Sequence, residues 1–321
     1  MRKDRLLERF LRYVAISSQS STKVKTVPSS DGQWDMARLL AKELTALGLV
    51  DVEISDYAVV TAKLPSNLPE GVKVPTVGWC AHMDTVDAGL SPDIHPQVIK
   101  NYQGGDICLN KEKDIWMRVA EHPEVERYIG DDLVVTDGTS VLGADNKSAI
   151  ANVMTALEIV IQENRPHGTI HVAFVPDEEI GLLGAKKIDF SKFPVDFAYT
   201  IDSCELGELV YQTFNAGGAT LTIRGVTAHP MSAKGVLVNP TLIACDFVNA
   251  LDRKETPECT EDTEGFIWVH SIVSNPRVAT VGIKIRDHNL EGYIHKKAKI
   301  EEVVEHLKIC LLYTSPSPRD G

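Results

Sequence analysis

Four short segments of this chain each place acidic or imidazole side chains at the end of a predicted strand or just after it. They are Ala81–Val86, Gly143–Lys147, Pro176–Gly181 and Thr200–Asp202. In an open α/β sheet, ligands bind in the crevice beyond the carboxyl ends of the strands. We therefore expect the four segments to converge on one site.

The residue types in these segments suit a metal ion of the zinc type, which takes imidazole nitrogen and carboxylate oxygen as ligands. His82 and Asp84 are two residues apart, so the imidazole can bind metal while the carboxylate orients its other N–H. Glu178 and Glu179 are adjacent and cannot point the same way along a strand, so one can bind metal while the other handles a proton. Unpaired carboxylates are costly to bring together without a cation. The sequence therefore predicts a metal centre.

Each segment taken alone also has an ordinary structural interpretation. A lone histidine is usually a surface or core residue, and an Asp-Glu-Glu run is usually a solvated loop. Asp145 could be the N-cap of a helix, an interaction that contributes roughly 1 kcal/mol. The metal centre is favoured because four such segments occur together in one α/β chain.

Hydrophobic periodicity predicts the elements that must position these segments. Helices are expected over residues 6–14, 31–48 and 145–161, and strands over residues 52–64, 74–81, 133–136, 169–176 and 197–201. A polar stretch over residues 17–30 is expected to be a loop, and residues 87–131 a long loop with short elements. Strands that alternate with helices indicate an α/β domain with a mainly parallel central sheet over residues 1–208. From residue 209 the order becomes β-α-β-β-α, which indicates a separate α+β domain over residues 209–309.

Composition narrows the class of protein. The chain has 321 residues, of which 43% are hydrophobic and 24% charged, a balance typical of globular chains and long enough for two domains. Its net charge of -12 disfavours a nucleic-acid partner. The six cysteines form no Cys-x-x-Cys pair, and neither a signal peptide nor a long apolar segment is evident. We therefore expect a cytoplasmic protein that binds neither nucleic acid nor membranes.

Several motifs together carry a family resemblance. They are Gly32–Trp34, Ala81–Thr85, Thr136–Gly138, Leu142–Lys147, Pro166–Gly168, Phe174–Gly181 and Ala228–Pro230. Through them the chain resembles the M20 family of co-catalytic zinc peptidases over residues 1–309. The segment Asn101–Ile107 points to the tripeptide aminopeptidases within that family, with Asp106 as a carboxylate partner for the substrate amino terminus. The fold implied is a zinc-peptidase catalytic domain with an inserted α+β lid or dimerisation domain, matched here by residues 209–309.

The resemblance also implies a cofactor of two Zn²⁺ ions per subunit. His82 and Asp202 would bind one zinc, Glu179 would bind the other, and Asp145 would bridge both. Two such ions can polarise the carbonyl of the scissile bond and lower the pKa of a shared water molecule.

Three further residues take roles from the resemblance. Asp84 would orient His82, and Glu178 would be the general base that takes a proton from water and returns it to the leaving amine. His229 would donate a hydrogen bond to the oxyanion of the tetrahedral intermediate, in a homodimer from across the subunit boundary. Without the resemblance, His229 reads equally well as a turn residue before Pro230.

The chain departs from the family pattern in two ways. A late histidine that serves as a further metal ligand, and a glycine-rich loop that follows the lid, have no match here. Residues 310–321 break the last helix abruptly and look like a translated sequencing adapter, so we expect a non-native tail. We therefore expect the catalytic domain to lack its C-terminal part and the 321-residue chain to be inactive, whereas its parent protein is an active peptidase.

The function implied is hydrolysis of the N-terminal peptide bond of tripeptides, with small peptides as substrates. One alternative is an N-acyl amino acid deacylase or carboxypeptidase on the same scaffold. Another is a non-catalytic dimerising protein that has lost its activity. Glu178 beside Glu179 argues against the second alternative, since a protein that has lost its catalytic activity does not need a general base.

Overall fold

A computed structural model describes residues 2–203 and 206–314 of the chain. They divide into two compact units, Met1–Leu206 and Gly207–Gly321, called unit 1 and unit 2 below. Residues 315–321 of the expected non-native tail lie outside the described residues, whereas residues 310–314 continue the last helix, so the break expected at residue 310 is wrong. Within the described part, no helix is long and apolar enough to cross a membrane.

Three long helices belong to unit 1: α1 (Arg2–Val14), α2 (Asp31–Ala46) and α3 (Ala144–Gln162). Each has apolar side chains at helical spacing, which buries one face. Met36, Leu40 and Leu44 of α2 are fully buried, and Gly48 follows the helix with a φ of 90°, the left-handed conformation that glycine adopts most easily. All three helices agree with the sequence-based expectation.

The main sheet of unit 1 has five strands in the order β1-β2-β8-β3-β9. Their bounds are β1 (Val50–Ile54), β2 (Val60–Leu64), β3 (Val77–His82), β8 (Ile170–Val175) and β9 (Phe197–Thr200). Strand β3 runs parallel to both β8 and β9, whereas β1 and β2 pair antiparallel at the other side. The predicted α/β class is confirmed, with an antiparallel pair added to the parallel strands.

The continuous strand predicted over residues 52–64 is wrong. The chain turns between β1 and β2, where the Ala58 N–H donates to the Ser55 carbonyl at 3.0 Å and the Ser55 N–H donates to the Val59 carbonyl at 2.9 Å. The sequences of both strands alternate apolar and polar residues, VDVEI in β1 and VTAKL in β2, so the pattern alone shows no interruption.

Residues 87–131 and the strand after them form smaller sheets, as the expectation of short elements implied. Strand β4 (Pro96–Ile99) pairs with β7 (Leu133–Thr136), and β5 (Ile107–Asn110) pairs with β6 (Ile115–Met117). A small apolar cluster, formed by Tyr102, Ile107 and Val125, lies among these strands.

The sheet register brings the site segments to one edge. In the parallel pair β3–β8, His82 lies opposite Val175, the last residue of β8. On the other side of β3, Cys80 lies opposite Thr200, the last residue of β9. Three of the four segments therefore leave the sheet together at the carboxyl ends of parallel strands.

Unit 2 has its own sheet and its own core. Strands β10 (Asn215–Arg224), β11 (Phe266–Ser274) and β12 (Val278–Asp287) form an antiparallel sheet with β12 in the middle. Helices α4 (Pro240–Ala250) and α5 (Leu290–Thr314) pack on it around buried Phe247 and Ile283. This is the β-α-β-β-α order expected from the sequence.

Candidate metal centre

His82 is the last residue of β3 and its side chain is 2% exposed. Its Nδ1 lies 3.0 Å from the backbone oxygen of Asp84 and 3.3 Å from the Asp84 carboxylate. Its Nε2 lies 2.9 Å from Oδ1 of Asp145 and 3.7 Å from Oε2 of Glu178. One ring nitrogen is thus held by Asp84, while the other faces the acidic groups.

Asp84 joins two of the site segments. It is fully buried and accepts hydrogen bonds from the backbone N–H groups of Glu178 at 2.9 Å and Glu179 at 3.2 Å. Burial alone would raise the pKa of Asp84, but the hydrogen bonds from His82 and from the Glu178 N–H lower it below its ordinary value. Asp84 is therefore a carboxylate that fixes both His82 and the turn after β8.

Asp145 does not act as the helix cap that its position suggested. The N-cap position of α3 is occupied by Gly143, and the backbone of Asp145 itself is non-helical, with a ψ of 105°. Its exposed carboxylate is directed at His82 instead. The Glu178–Glu179 pair is not a solvated loop either, because both residues are only partly exposed and their backbone is bound to Asp84.

Two overlapping groups of side chains have the spacing of metal ligands. One consists of His82, Asp145 and Glu179, and the other of His82, Glu178 and Asp202. Within each group, one ligand atom from every residue lies within 4.8 Å of the others. The structure thus brings together the predicted residues of all four segments, with Asp84 directly behind His82: His82, Asp145, Glu178, Glu179 and Asp202.

Three acidic groups of the centre, Glu178, Glu179 and Asp202, have raised pKa values and hold protons more tightly than usual. Burial, and then the charge of Asp145, raises the pKa of Glu179 to about 7. Burial also raises the pKa values of Glu178 and Asp202, and neighbouring carboxylates add to the effect. Burial alone would lower the pKa of His82, but the hydrogen bond to Asp84 and the surrounding carboxylates raise it to about 9. A cluster with this much uncompensated negative charge fits a bound divalent cation.

His229 belongs to unit 2 and is exposed. It precedes a short 3₁₀ turn, Pro230–Ser232, and its Nδ1 accepts a hydrogen bond from the Met231 N–H at 3.3 Å. His229 is therefore a turn residue through its Nδ1 atom, whereas Nε2 takes no part in the turn's hydrogen bond. With Nδ1 as an acceptor, the neutral ring carries its proton on Nε2, which makes Nε2 a donor.

Asp106 has structural partners. Its carboxylate accepts a hydrogen bond from the Val119 N–H at 2.8 Å and lies 3.4 Å from Arg118. These contacts tie the segment before β5 to the segment after β6, and the use of Asp106 for a substrate amino terminus stays a prediction.

Sequence reasoning missed three buried polar residues beside the centre: Ser29, Gln33 and Asp177. They form hydrogen bonds with one another although Asp177 is 144 residues from Gln33. The sequence signals were the family motifs Gly32–Trp34 and Phe174–Gly181, and neither shows that Gln33 and Asp177 meet in the fold.

Comparison with known proteins places the chain in a family. The M20 peptidase dimerisation domain matches residues 211–309. A peptidase T-like protein of Rhizobium meliloti is 52% identical over 306 residues, which cover 95% of this chain and 74% of that protein. Peptidase T of Geobacillus kaustophilus is 44% identical, with the same coverage of both chains.

Solved structures agree on the fold. An aminopeptidase from Bacillus cereus superposes with a TM-score of 0.67 at 24% identity, over 94% of this chain and 71% of that one. A tripeptidase from Staphylococcus aureus gives 0.69 at 22% identity, over 95% and 71%. The family predicted from the motifs is confirmed: this chain belongs to the peptidase T group of the M20 metallopeptidases.

Proposed function

We propose that this chain belongs to a metal-dependent aminopeptidase that removes the N-terminal residue of tripeptides. The observation that carries the proposal is the convergence of His82 with Asp145, Glu178, Glu179 and Asp202 at one sheet edge. Relatives called peptidase T and a neighbour called a tripeptidase support the substrate class.

The same residues suggest how two Zn²⁺ ions would be held. His82 and Asp202 would hold one ion and Glu179 the other, with Asp145 between them. Asp145 supports this role because its carboxylate faces His82 Nε2 at 2.9 Å and also belongs to the group that contains Glu179. Zinc bound there would polarise the carbonyl of the scissile bond and lower the pKa of a water molecule.

Glu178 is the proposed general base. Its side chain is 28% exposed, so it reaches solvent, and burial raises its pKa above the ordinary value, the direction that suits a general base. Glu178 takes the proton from the attacking water and returns it to the nitrogen of the leaving amine. Asp84 holds the backbone of Glu178 in place for this transfer.

His229 and the dimerisation domain complete the proposal. The Nε2 of His229 donates a hydrogen bond to the oxyanion that forms on the scissile carbonyl. Residues 211–309 match a dimerisation domain, which supports a homodimer formed through unit 2.

The test compares two substitutions by zinc titration and by peptide hydrolysis. Glu178→Ala is expected to leave zinc binding intact and to abolish turnover, because it removes the base but no proposed ligand. Asp145→Ala is expected to abolish binding of both ions. Zinc titration is measured separately from peptide hydrolysis, so it reports on the proposed ligands whether or not turnover is observed.

Several outcomes would contradict the proposal. Near-normal turnover of Glu178→Ala would remove that residue as the base, and unchanged zinc binding by Asp145→Ala would remove the bridge. If the chain bound no zinc, the result would favour the alternative of a non-catalytic dimerising protein. Hydrolysis of N-acyl amino acids in preference to tripeptides would establish the deacylase instead.

A further inference from the structure

Asp177 is a fully buried carboxylate directly before Glu178. It accepts hydrogen bonds from the Ser29 N–H at 2.8 Å, from the Ser29 hydroxyl at 2.6 Å and from the Gln33 side-chain amide at 2.7 Å. Its own N–H donates to the Gln33 side-chain oxygen at 2.9 Å. Ser29 and Gln33 are buried as well, so the group is closed to solvent.

The backbone at Asp177 explains what this arrangement does. Its φ of 52° lies in the left-handed region, which a residue other than glycine adopts only where its surroundings hold it there. This conformation turns the chain off the end of β8. The next two N–H groups then point at Asp84, which binds both of them.

The polar loop over residues 17–30 also binds the segment that follows β3, on which Asp84 lies. The Ser18 hydroxyl donates to the Met83 carbonyl at 2.7 Å, and the Thr85 N–H donates to the Ser18 carbonyl at 3.3 Å. The loop therefore holds the segment that carries His82 and Asp84, as well as the segment that begins at Asp177.

Gly32 allows the loop to lie against the first turn of α2. A Cβ added at Gly32 would lie 1.6 Å from the carbonyl oxygen of Ser17, so no side chain fits at this position. The close approach brings Gln33, on the first turn, within reach of both Ser29 and Asp177.

We propose that Asp177 is a positioning residue of the metal centre, held by Ser29 and Gln33 so that Glu178 and Glu179 face Asp84 and His82. The proposal rests on the proposed metal-dependent function and extends it to residues that touch neither substrate nor metal. It also gives the Gly32–Gln33 part of the family motif a physical role.

The first test is Asp177→Asn, read out by cobalt(II) titration of the whole chain. The substitution would place an NH₂ group against a donor, either the Ser29 N–H or the Gln33 amide. Loss of a partner that orients metal ligands weakens metal affinity by roughly 10- to 100-fold, and we expect a loss of that size. The visible absorption of bound cobalt reports ligand geometry and is expected to change as well.

The second test reverses the polarity of the same hydrogen bonds. Gln33→Glu alone would set a second carboxylate against that of Asp177. We expect it to weaken cobalt binding at least as much as Asp177→Asn does. In the double variant that combines Asp177→Asn with Gln33→Glu, the carboxylate introduced at position 33 accepts from the side-chain amide and the backbone N–H of position 177. The amide oxygen introduced at position 177 still accepts from the Ser29 N–H. We expect cobalt affinity and spectrum to return to near those of the unmodified chain.

Tyr13→Phe is the matched control. Tyr13 is also fully buried in unit 1, and its hydroxyl donates to Glu43 at 2.6 Å. The substitution removes this partly buried hydrogen bond and is expected to lower the unfolding temperature without touching the centre, so cobalt affinity is expected to stay unchanged.

The outcomes separate this proposal from the proposed function. If the unmodified chain binds no cobalt, the metal-dependent function fails. If it binds cobalt and Asp177→Asn binds equally well, only the positioning role fails. A double variant that remains as weak as Asp177→Asn also overturns the positioning role, and an affinity loss in Tyr13→Phe would show that general destabilisation is sufficient.

Discussion

Burial, and then the charge of Asp145, changes the protonation of Glu179. In the metal-free chain its pKa is raised from 4.5 to about 7. A carboxyl with a higher pKa in the folded state than in the unfolded state favours folding while it is protonated. Its contribution is complete below about pH 4.5 and is lost as the pH rises through about 7.

We therefore expect a pH-dependent difference between the metal-free unmodified chain and Glu179→Gln, which does not titrate at this position. The unfolding temperature of Glu179→Gln relative to the unmodified chain should rise between about pH 5 and pH 7. Thermal melts in a chelating buffer measure it. A difference that stays flat over this range would show that Glu179 keeps an ordinary pKa.

At the same scale, the sequence predicted which side chains converge at the sheet edge but not which residues support them. His82, Asp145, Glu179 and Asp202 could be found because each follows a strand or begins a helix, and the ends of parallel strands meet. Asp177 could not be assigned a role, because its partners come from a loop and a helix that no local pattern connects to β8.

Among the elements, the helices and the buried strands were predicted well because their apolar periodicity is long and regular. The turn between β1 and β2 was missed for a local reason. Ala58 adopts a φ of 58° without being glycine, and the Ser55 hydroxyl caps the turn by accepting from the Tyr57 and Val59 N–H groups. Neither residue is a strong turn signal within an alternating pattern.

The contact between the polar loop and α2 gives a prediction for an element. Gly32→Ala is expected to destabilise unit 1 by about 1–3 kcal/mol, the usual cost of overpacking, because the methyl group would overlap the Ser17 carbonyl. Chemical denaturation measures the loss. Gly218→Ala is the control, since a Cβ there would lie 3.6 Å from the Ile283 oxygen, an ordinary contact.

Equal stability of the two glycine variants would mean that the loop can move away from α2 at little cost. In that case the loop would not hold the centre rigidly. A larger loss for Gly32→Ala, accompanied by weaker cobalt binding, would connect the packing of this loop to the metal site.

For the molecule as a whole, the two units have separate cores, and all the proposed metal ligands belong to unit 1. Zinc is therefore expected to slow hydrogen exchange in the amides of β3, β8 and α3, because a ligand that binds only the folded state stabilises it. The amides of β12 and α4 are expected to exchange at unchanged rates. Exchange followed by mass spectrometry distinguishes the units, and equal protection of both would contradict a site confined to unit 1.

The strand order of unit 1 has a consequence for synthesis on the ribosome. Strand β8 lies between β2 and β3 in the sheet, but it emerges more than a hundred residues after β2. Until then the edges of β2 and β3 that face β8 have no partner strand, and unpaired strand edges aggregate readily. We therefore expect nascent chains of this protein to be prone to aggregation until β8 has left the exit tunnel. The candidate metal centre is expected to assemble late, because Asp202 follows β9, the last strand of the sheet in chain order.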